Sequence, residues 1–139
     1  MTLSISWLAV VAGTAVGMAI AWVWYADSGL FGRVWRELTG VTQEDSARVG
    51  KRPVVVLLAS IVLTAIALAI ACSLAAGFFD DQSPWLALAV GFVAWLGLSA
   101  TTLAQHNAFE QKPVRLTVIN SAYQLALFLG IALTVGLLE

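Results

Sequence analysis

Four long apolar stretches constrain the fold of this chain more than any other sequence feature. Each has about 20 or more residues with no Asp, Glu, Lys or Arg in its interior, which is the length needed to cross about 30 Å of hydrocarbon. Lipid cannot hydrogen-bond to the backbone, so these stretches are predicted to be helices. The chain 1–139 is therefore predicted to be a single all-α integral membrane domain. The four predicted transmembrane helices cover residues 3–25, 54–79, 85–106 and 115–138.

The composition supports a membrane protein over a soluble one. Hydrophobic residues make up 60% of the chain and charged residues 11%, whereas a soluble domain is roughly 45–50% apolar and about 25% charged. A soluble fold of this size could not hide that much apolar surface. The first stretch is predicted to be a retained helix rather than a signal peptide, because no basic residue precedes it and its apolar run is too long. The net charge of −1 gives no reason to expect a nucleic-acid partner.

The basic residues predict the orientation. All seven Lys and Arg lie in the loops that follow the first and third stretches, and the intervening loop around Asp80 and Asp81 has none. Two loops separated by two helices lie on the same side of the membrane, and the positive-inside rule makes that side cytoplasmic. The prediction is an up-down-up-down bundle with both termini outside and residues 26–53 as a cytoplasmic loop. The seven are Arg33, Arg36, Arg48, Lys51, Arg52, Lys112 and Arg115.

The first cytoplasmic loop is predicted to hold two short helices. Phe31, Trp35 and Leu38 recur at helical spacing with charged residues between them, which predicts an amphipathic helix in the inner headgroup layer. Glycine at position 40 would end it. The segment from Thr42 to Asp45 is typical of a capping box and predicts a second helix over residues 43–49.

Small and polar residues predict where the four helices meet. Gly91, Ser99, Thr102 and His106, with Trp95, fall at steps of three and four and are predicted to share one face of the third helix. Small and hydroxylated residues let membrane helices approach closely and hydrogen-bond. The residues predicted to pack helices are Gly13, Gly17, Gly91, Ser99 and Thr102.

The polar residues of the bundle concentrate toward its cytoplasmic half, and two interpretations remain open. They hold the helices together, or they line a narrow polar cavity that binds a small polar ligand or a lipid headgroup. His106 is the only histidine, so it serves as an interfacial anchor or, with Glu110 one turn away, handles a proton. The candidate ligand-binding residues are Trp24, Tyr25, His106, Asn107, Glu110, Asn120, Tyr123 and Gln124.

No catalytic or metal-binding motif is recognisable in the sequence. Cys72 is the only cysteine, so neither an internal disulfide nor a thiolate metal cluster is expected. One histidine without a nearby cysteine does not make a metal-ligand set. Nucleotide-binding loops, metalloprotease motifs and serine-hydrolase motifs are lacking. The prediction is a non-enzyme without a cofactor.

A set of mostly interfacial residues recurs in order along nearly the whole chain: Trp24, Tyr25, 30–33, Trp35, 38–42, Glu44, Asp45, Asn107, Phe109, Glu110, Pro113, Ile119, Asn120 and Tyr123. Together they resemble the small bacterial four-helix membrane family known as domain of unknown function 1761. The resemblance implies a multi-pass protein of the bacterial cytoplasmic membrane, and it brings no established activity. Asp27-Ser28 departs from the Ser-Pro type of turn expected there.

Two functions follow from these patterns. The first is a structural or accessory membrane protein that associates with other copies or with other membrane proteins, in contact with the lipid bilayer. The alternative is binding or transport of a small solute, ion or lipid through a polar cavity open to the cytoplasm.

Overall fold

The computed structural model describes residues 5–139, and this part of the chain is helical without strands. The predicted start of the first helix at residue 3 lies outside the described residues. The third predicted helix runs continuously over Pro84–Phe109 as α5, a π-helical segment and α6. The elements are α1 (Trp7–Tyr25), α2 (Gly32–Thr39), α3 (Gln43–Val49), α4 (Arg52–Phe79), α5 (Pro84–Ala94), the π segment (Trp95–Ala100), α6 (Thr101–Phe109) and α7 (Val114–Leu138).

Local sequence signals set the helix ends. The capping box predicted at α3 is confirmed: the Thr42 hydroxyl accepts from the Asp45 N–H at 3.0 Å, and the Asp45 carboxylate accepts from the Thr42 N–H at 3.0 Å. Gly40 ends α2 in the left-handed conformation, with φ of 75°, which glycine adopts without a steric cost. Proline occupies the first turn of α4 and of α5, where its missing N–H breaks no helical bond.

Helix α7 is the central helix and packs against α1, α4 and α5. The contacts involve small residues: a Cβ placed on Gly17 would lie 2.7 Å from Ile61 and 2.9 Å from Leu127, and one placed on Gly13 would lie 3.2 Å from Ile131. Glycine at these positions lets α1 approach α4 and α7 more closely than a larger residue would allow. Ile61 and Ile131 are among the most completely buried side chains of the core.

The π segment corrects the predicted face of the third helix. A π turn holds more residues than an α turn, so the inward-facing positions after Gly91 shift along the sequence. Buried Gly91 is followed by half-buried Ser99 and then by buried Asn107, whereas Thr102 and His106 are exposed. The prediction that Thr102 and His106 share a packing face with Gly91 is therefore wrong, because it assumed 3.6 residues per turn throughout.

The four long helices are long and apolar enough to cross a membrane. Of the 18 most apolar consecutive residues in each helix, at most 28% are buried inside the chain. For Pro84–Phe109 the buried share is 11%. Apolar side chains therefore cover most of the outer surface, which is the expected pattern where lipid or another membrane helix replaces water.

The loops rich in Lys and Arg meet at one end of the bundle. Trp24 near the end of α1 reaches Ile119 near the start of α7, and Asn107 near the end of α6 reaches Thr117. The basic residues in 33–52 and 112–115 therefore lie at this end, named here the basic end. Asp81 and Glu139 line one pocket together at the opposite end.

Candidate polar site at the basic end

An aromatic and amide cluster joins the last turn of α1 to the first turns of α7. The Trp24 indole N–H donates to the Ile119 carbonyl at 3.1 Å. The Tyr25 hydroxyl donates to the Asn120 Oδ1 at 2.5 Å. Both bonds connect residues 95 positions apart in the chain. In an apolar environment such bonds between helices fix their relative rotation and depth.

Tyr123 lies at the centre of this cluster. Its side chain is 4% exposed, and its ring packs edge-on against Tyr25 with centroids 4.9 Å apart. Among the described residues its hydroxyl is the one buried side-chain polar atom without a hydrogen-bond partner. A buried hydroxyl without a partner loses its hydration without compensation. Either a water molecule or a ligand hydrogen-bonds to this hydroxyl, or the fold tolerates the free-energy cost of its desolvation.

The chain after α1 folds back over the cluster and brings α2 against it. The Leu30 and Phe31 N–H groups donate to the Val23 and Trp24 carbonyls, each at 2.9 Å. A Cβ on Gly32 would lie 2.1 Å from the Ala26 carbonyl oxygen, so only glycine fits this close approach. The rings of Phe31 and Trp24 lie 5.0 Å apart. The chain reversal thus places α2 beside the ends of α1 and α7.

Arg36 of α2 ties the loop together. Its Nε donates to Asp27 Oδ1 at 2.5 Å, and its Nη1 donates to Ser46 Oγ at 3.0 Å and to the Val41 carbonyl at 3.3 Å. Gln43 Nε2 donates to Asp27 Oδ2 at 3.0 Å. The hydrogen bond from Arg36 holds the pKa of the Asp27 carboxyl below its ordinary value. These bonds connect the turn after α1 with both α2 and α3.

The third helix joins α7 through Asn107. This side chain is 7% exposed, and its Nδ2 donates to Thr117 Oγ1 at 2.9 Å. Its neighbour His106 is exposed. Glu110 is also exposed and pairs with Lys112 at 3.3 Å in the turn before α7. Such an exposed pair contributes little to stability.

The predicted ligand-binding residues therefore fall into separate groups. Trp24, Tyr25, Asn120 and Tyr123 come together in one cluster, as described above. Asn107 forms a separate contact with α7. His106 and Glu110 are exposed, and half-buried Gln124 makes no side-chain hydrogen bond within residues 5–139. The structure leaves the exposed side chains of His106 and Glu110 outside the cluster.

The mutual contacts of Asp27, Arg36 and Ser46 are not predicted from the sequence. The sequence predicts an amphipathic helix here and a departure from the expected turn at Asp27-Ser28, but neither pattern indicates which groups these side chains bond. The signal that could have identified them is the acidic residue in the turn after α1, followed by an arginine on the first short helix. Within residues 5–139, no three His, Cys, Asp or Glu residues lie close enough together to hold a metal ion.

Comparison with known proteins identifies the family to which the chain belongs. No curated protein and no solved structure matches it. The family model described as "Protein of unknown function (DUF1761)" matches residues 8–136, which covers nearly the whole chain and all of the residues that form the aromatic and amide cluster. The resemblance predicted from the interfacial residues is confirmed: the chain belongs to the DUF1761 family of proteins of unknown function.

Proposed function

We propose that this protein is a non-catalytic accessory or structural protein of the bacterial cytoplasmic membrane, and that it associates with a second copy of itself. Its four long helices would form an up-down-up-down bundle with both termini outside, and α2 would lie at the inner headgroup layer. The opposite order of the contacts along paired helices supports that topology: Gly13 lies near Ile131, and Gly17 near Leu127. The gathering of the basic loops at one end supports the orientation.

The observation that carries the self-association is a gap between α4 and the third helix. Helix α4 packs against α5, but this packing is lost beyond Ala94. A crevice of about 210 Å³ opens there and is lined by Thr64, Ala67, Leu98 and Phe128 among others. Residues 52–60 of α4 are exposed except at position 57, and most of residues 96–106 of the third helix are exposed as well. Two helix faces on either side of the crevice therefore have no partner within the described chain.

Hydroxyl groups favour a protein helix over lipid as the occupant. Ser60 on α4 and Ser99 in the π segment make no side-chain hydrogen bond within residues 5–139, and acyl chains could offer them none. A second copy presents the same two hydroxyls. Gly97, which precedes the crevice residue Leu98, is exposed and has open space beside its Cβ position, so another helix could approach it closely. A two-fold arrangement would use this patch on both copies.

The test measures self-association in lipid bilayers, by energy transfer between labelled copies at decreasing protein-to-lipid ratios. We expect a dimer whose dissociation constant rises about fivefold in Gly97→Leu, which corresponds to ~1 kcal/mol. The added side chain enters open space in the monomer. Ala15→Leu, at an exposed position of α1, is the matched control and should leave dimerisation unchanged. A protein that stays monomeric at all ratios, or equal effects of both variants, would refute the proposal.

A second candidate function is binding of a small polar molecule at the cluster. The hydroxyl of Tyr123 supports it because it is buried and lacks a hydrogen-bond partner among residues 5–139. The hydrogen bond between Tyr25 and Asn120 weighs against it, since these groups already satisfy each other. Solute flux into liposomes and native mass spectrometry would test it. A ligand-dependent signal that Tyr123→Phe removes would favour binding over a purely structural role.

A further inference from the structure

We propose that the surface beside α2 is a binding site for a phospholipid whose headgroup carries a primary ammonium, as in phosphatidylethanolamine. The inference rests on the proposed position of α2 at the membrane interface and does not depend on self-association. It combines an apolar groove on the bundle with a charged cleft lined by loop residues on either side of Leu30, which lines the groove.

The apolar groove fits an acyl chain. It has a volume of about 270 Å³ and lies between α1 and α7 near the basic end, closed by Leu30 from the loop. Its other lining residues include Ile20, Val23, Trp24 and Ala126. All are apolar apart from the indole N–H of Trp24, which donates to Ile119. The groove therefore offers contact area to a hydrocarbon chain and no polar group for a headgroup.

The cleft adjoins the groove along the chain. Ser28 and Arg33 line the cleft, and Leu30, which lies between them in sequence, lines the groove. The cleft has a volume of about 570 Å³ and faces outward from the loop. A lipid with its chain in the groove would place its headgroup in this cleft.

The cleft has two basic and two acidic residues, and one of each has no ion-pair partner within residues 5–139. Asp27 and Arg36 neutralise each other through their hydrogen bonds. Arg33 and Glu37 are both exposed and take part in no salt bridge or side-chain hydrogen bond within residues 5–139. They stand four residues apart on α2, so their side chains are neighbours on one face. One positive and one negative group side by side match a zwitterionic headgroup better than an anionic one.

The donors and acceptors of the cleft indicate which residue would bind each part of the headgroup. The Arg33 guanidinium would bind the phosphate, a pairing that its planar donors favour. The Glu37 carboxylate would accept from the ammonium. Gln43 donates its amide N–H to Asp27, which leaves its carbonyl oxygen available as a second acceptor in the same cleft.

The same groups select a primary ammonium over a quaternary one. A quaternary ammonium has no N–H to donate and is typically recognised by aromatic faces. The cleft is lined by Asp27, Ser28, Arg33, Arg36, Glu37 and Gln43, none of which is aromatic. Phosphatidylethanolamine and phosphatidylcholine share the phosphate, so their comparison isolates the ammonium contact. Anionic lipids are a poorer probe because all seven basic residues at this end attract them.

The experiment uses native mass spectrometry of the full chain in mild detergent, with palmitoyl-oleoyl phosphatidylethanolamine and phosphatidylcholine added in equal amounts. We expect two- to fivefold greater retention of phosphatidylethanolamine, the size expected for partly exposed charge pairs. Glu37→Gln should bring the ratio of the two lipids to about one. Arg33→Gln should lower the retention of both and keep the ratio. Glu44→Gln and Arg48→Gln, at exposed positions of α3, are the matched controls and should change neither.

Equal retention of the two lipids by the unchanged protein would overturn the proposal, as would a preference that survives in Glu37→Gln. The same spectra report the oligomeric state. A lipid preference that is equal in the monomer and dimer peaks, and unchanged in Gly97→Leu, would separate this site from the proposed dimer. A preference confined to the dimer peak would overturn the assignment to the surface beside α2.

Discussion

The two tyrosines of the aromatic cluster provide a matched pair for measuring what its hydrogen bonds contribute. Tyr25 and Tyr123 are in edge-to-face contact, but within residues 5–139 only the Tyr25 hydroxyl has a hydrogen-bond partner, the Asn120 side chain at 2.5 Å. Replacing either residue with phenylalanine keeps the ring and removes one oxygen atom. The difference between the two variants therefore isolates the hydrogen bond from the ring packing.

The two substitutions are expected to change the free energy of unfolding differently. Tyr25→Phe leaves the Asn120 oxygen without its donor, and we expect a loss of ~1 kcal/mol in the free energy of unfolding, within the range measured for hydrogen bonds between membrane helices. Tyr123→Phe removes a buried hydroxyl that has no hydrogen-bond partner in the described part of the chain. We therefore expect no loss in the free energy of unfolding, or a gain of up to ~1 kcal/mol from the avoided desolvation.

The assay is reversible unfolding by SDS in mixed micelles, followed by tryptophan fluorescence. A double-mutant cycle of Tyr25→Phe with Asn120→Ala should be non-additive by about the energy of the shared bond. A loss for Tyr123→Phe as large as that for Tyr25→Phe would refute the reasoning. It would show that the Tyr123 hydroxyl has a partner in the membrane, and the small-molecule binding function would then gain support.

Three further predictions use the same unfolding assay or hydrogen exchange. Gly17→Ala should cost ~1–3 kcal/mol because its Cβ would overlap two core side chains, whereas Gly97→Ala should lie within ~0.5 kcal/mol of the unchanged protein or slightly above it in stability. Asn107→Ala should cost ~1 kcal/mol and His106→Ala close to nothing, since only the former is buried and bonded to α7. Because the folded pKa of Asp27 is lowered, its stabilising effect is present above its unfolded pKa of about 3.9 and is lost as the pH falls through the lower folded value. Hydrogen exchange in residues 32–49 should therefore quicken on acidification, after correction for the intrinsic rate. Asp27→Asn should exchange faster than the unchanged protein above that pH range, match it below, and show no such step.

The sequence predicts the helices well because their signals are local. Uncharged length indicates the four long helices, and the Thr42 and Asp45 pair indicates the start of α3. The face of the third helix could not be predicted this way. The π segment Trp95–Ala100 changes the number of residues per turn, and its formation depends on contacts elsewhere, such as the Trp95 indole N–H that donates to the Ser121 carbonyl at 2.9 Å. Periodicity alone carries no information about such a contact.

The candidate site shows the same division between local and distant signals. The sequence predicts that polar residues concentrate at this end of the bundle, and Tyr25 and Asn120 do contact each other there. Their pairing across 95 residues was not predictable, because each could bond to several groups at similar depth. The role of Arg36 was also hidden, since its partners Asp27 and Ser46 lie on opposite sides of it in sequence and become neighbours only when the chain reverses after α1.

The two ends of the bundle are held by different interactions. This difference predicts that the loop at the basic end, which would hold the lipid site, is less stable than the rest of the bundle. Away from the basic end, the helices pack through small residues such as Gly13 and Gly91, whose contacts leave little room for change. At the basic end the contacts are hydrogen bonds and aromatic pairs, each of which contributes only modestly in a membrane. The position of α2 depends on several of them together, including the Arg36 bonds and the ring contacts of Phe31 and Trp35. Loss of any one should therefore loosen the loop before it unfolds the bundle, and the proposed lipid site should fail at a milder perturbation than the fold.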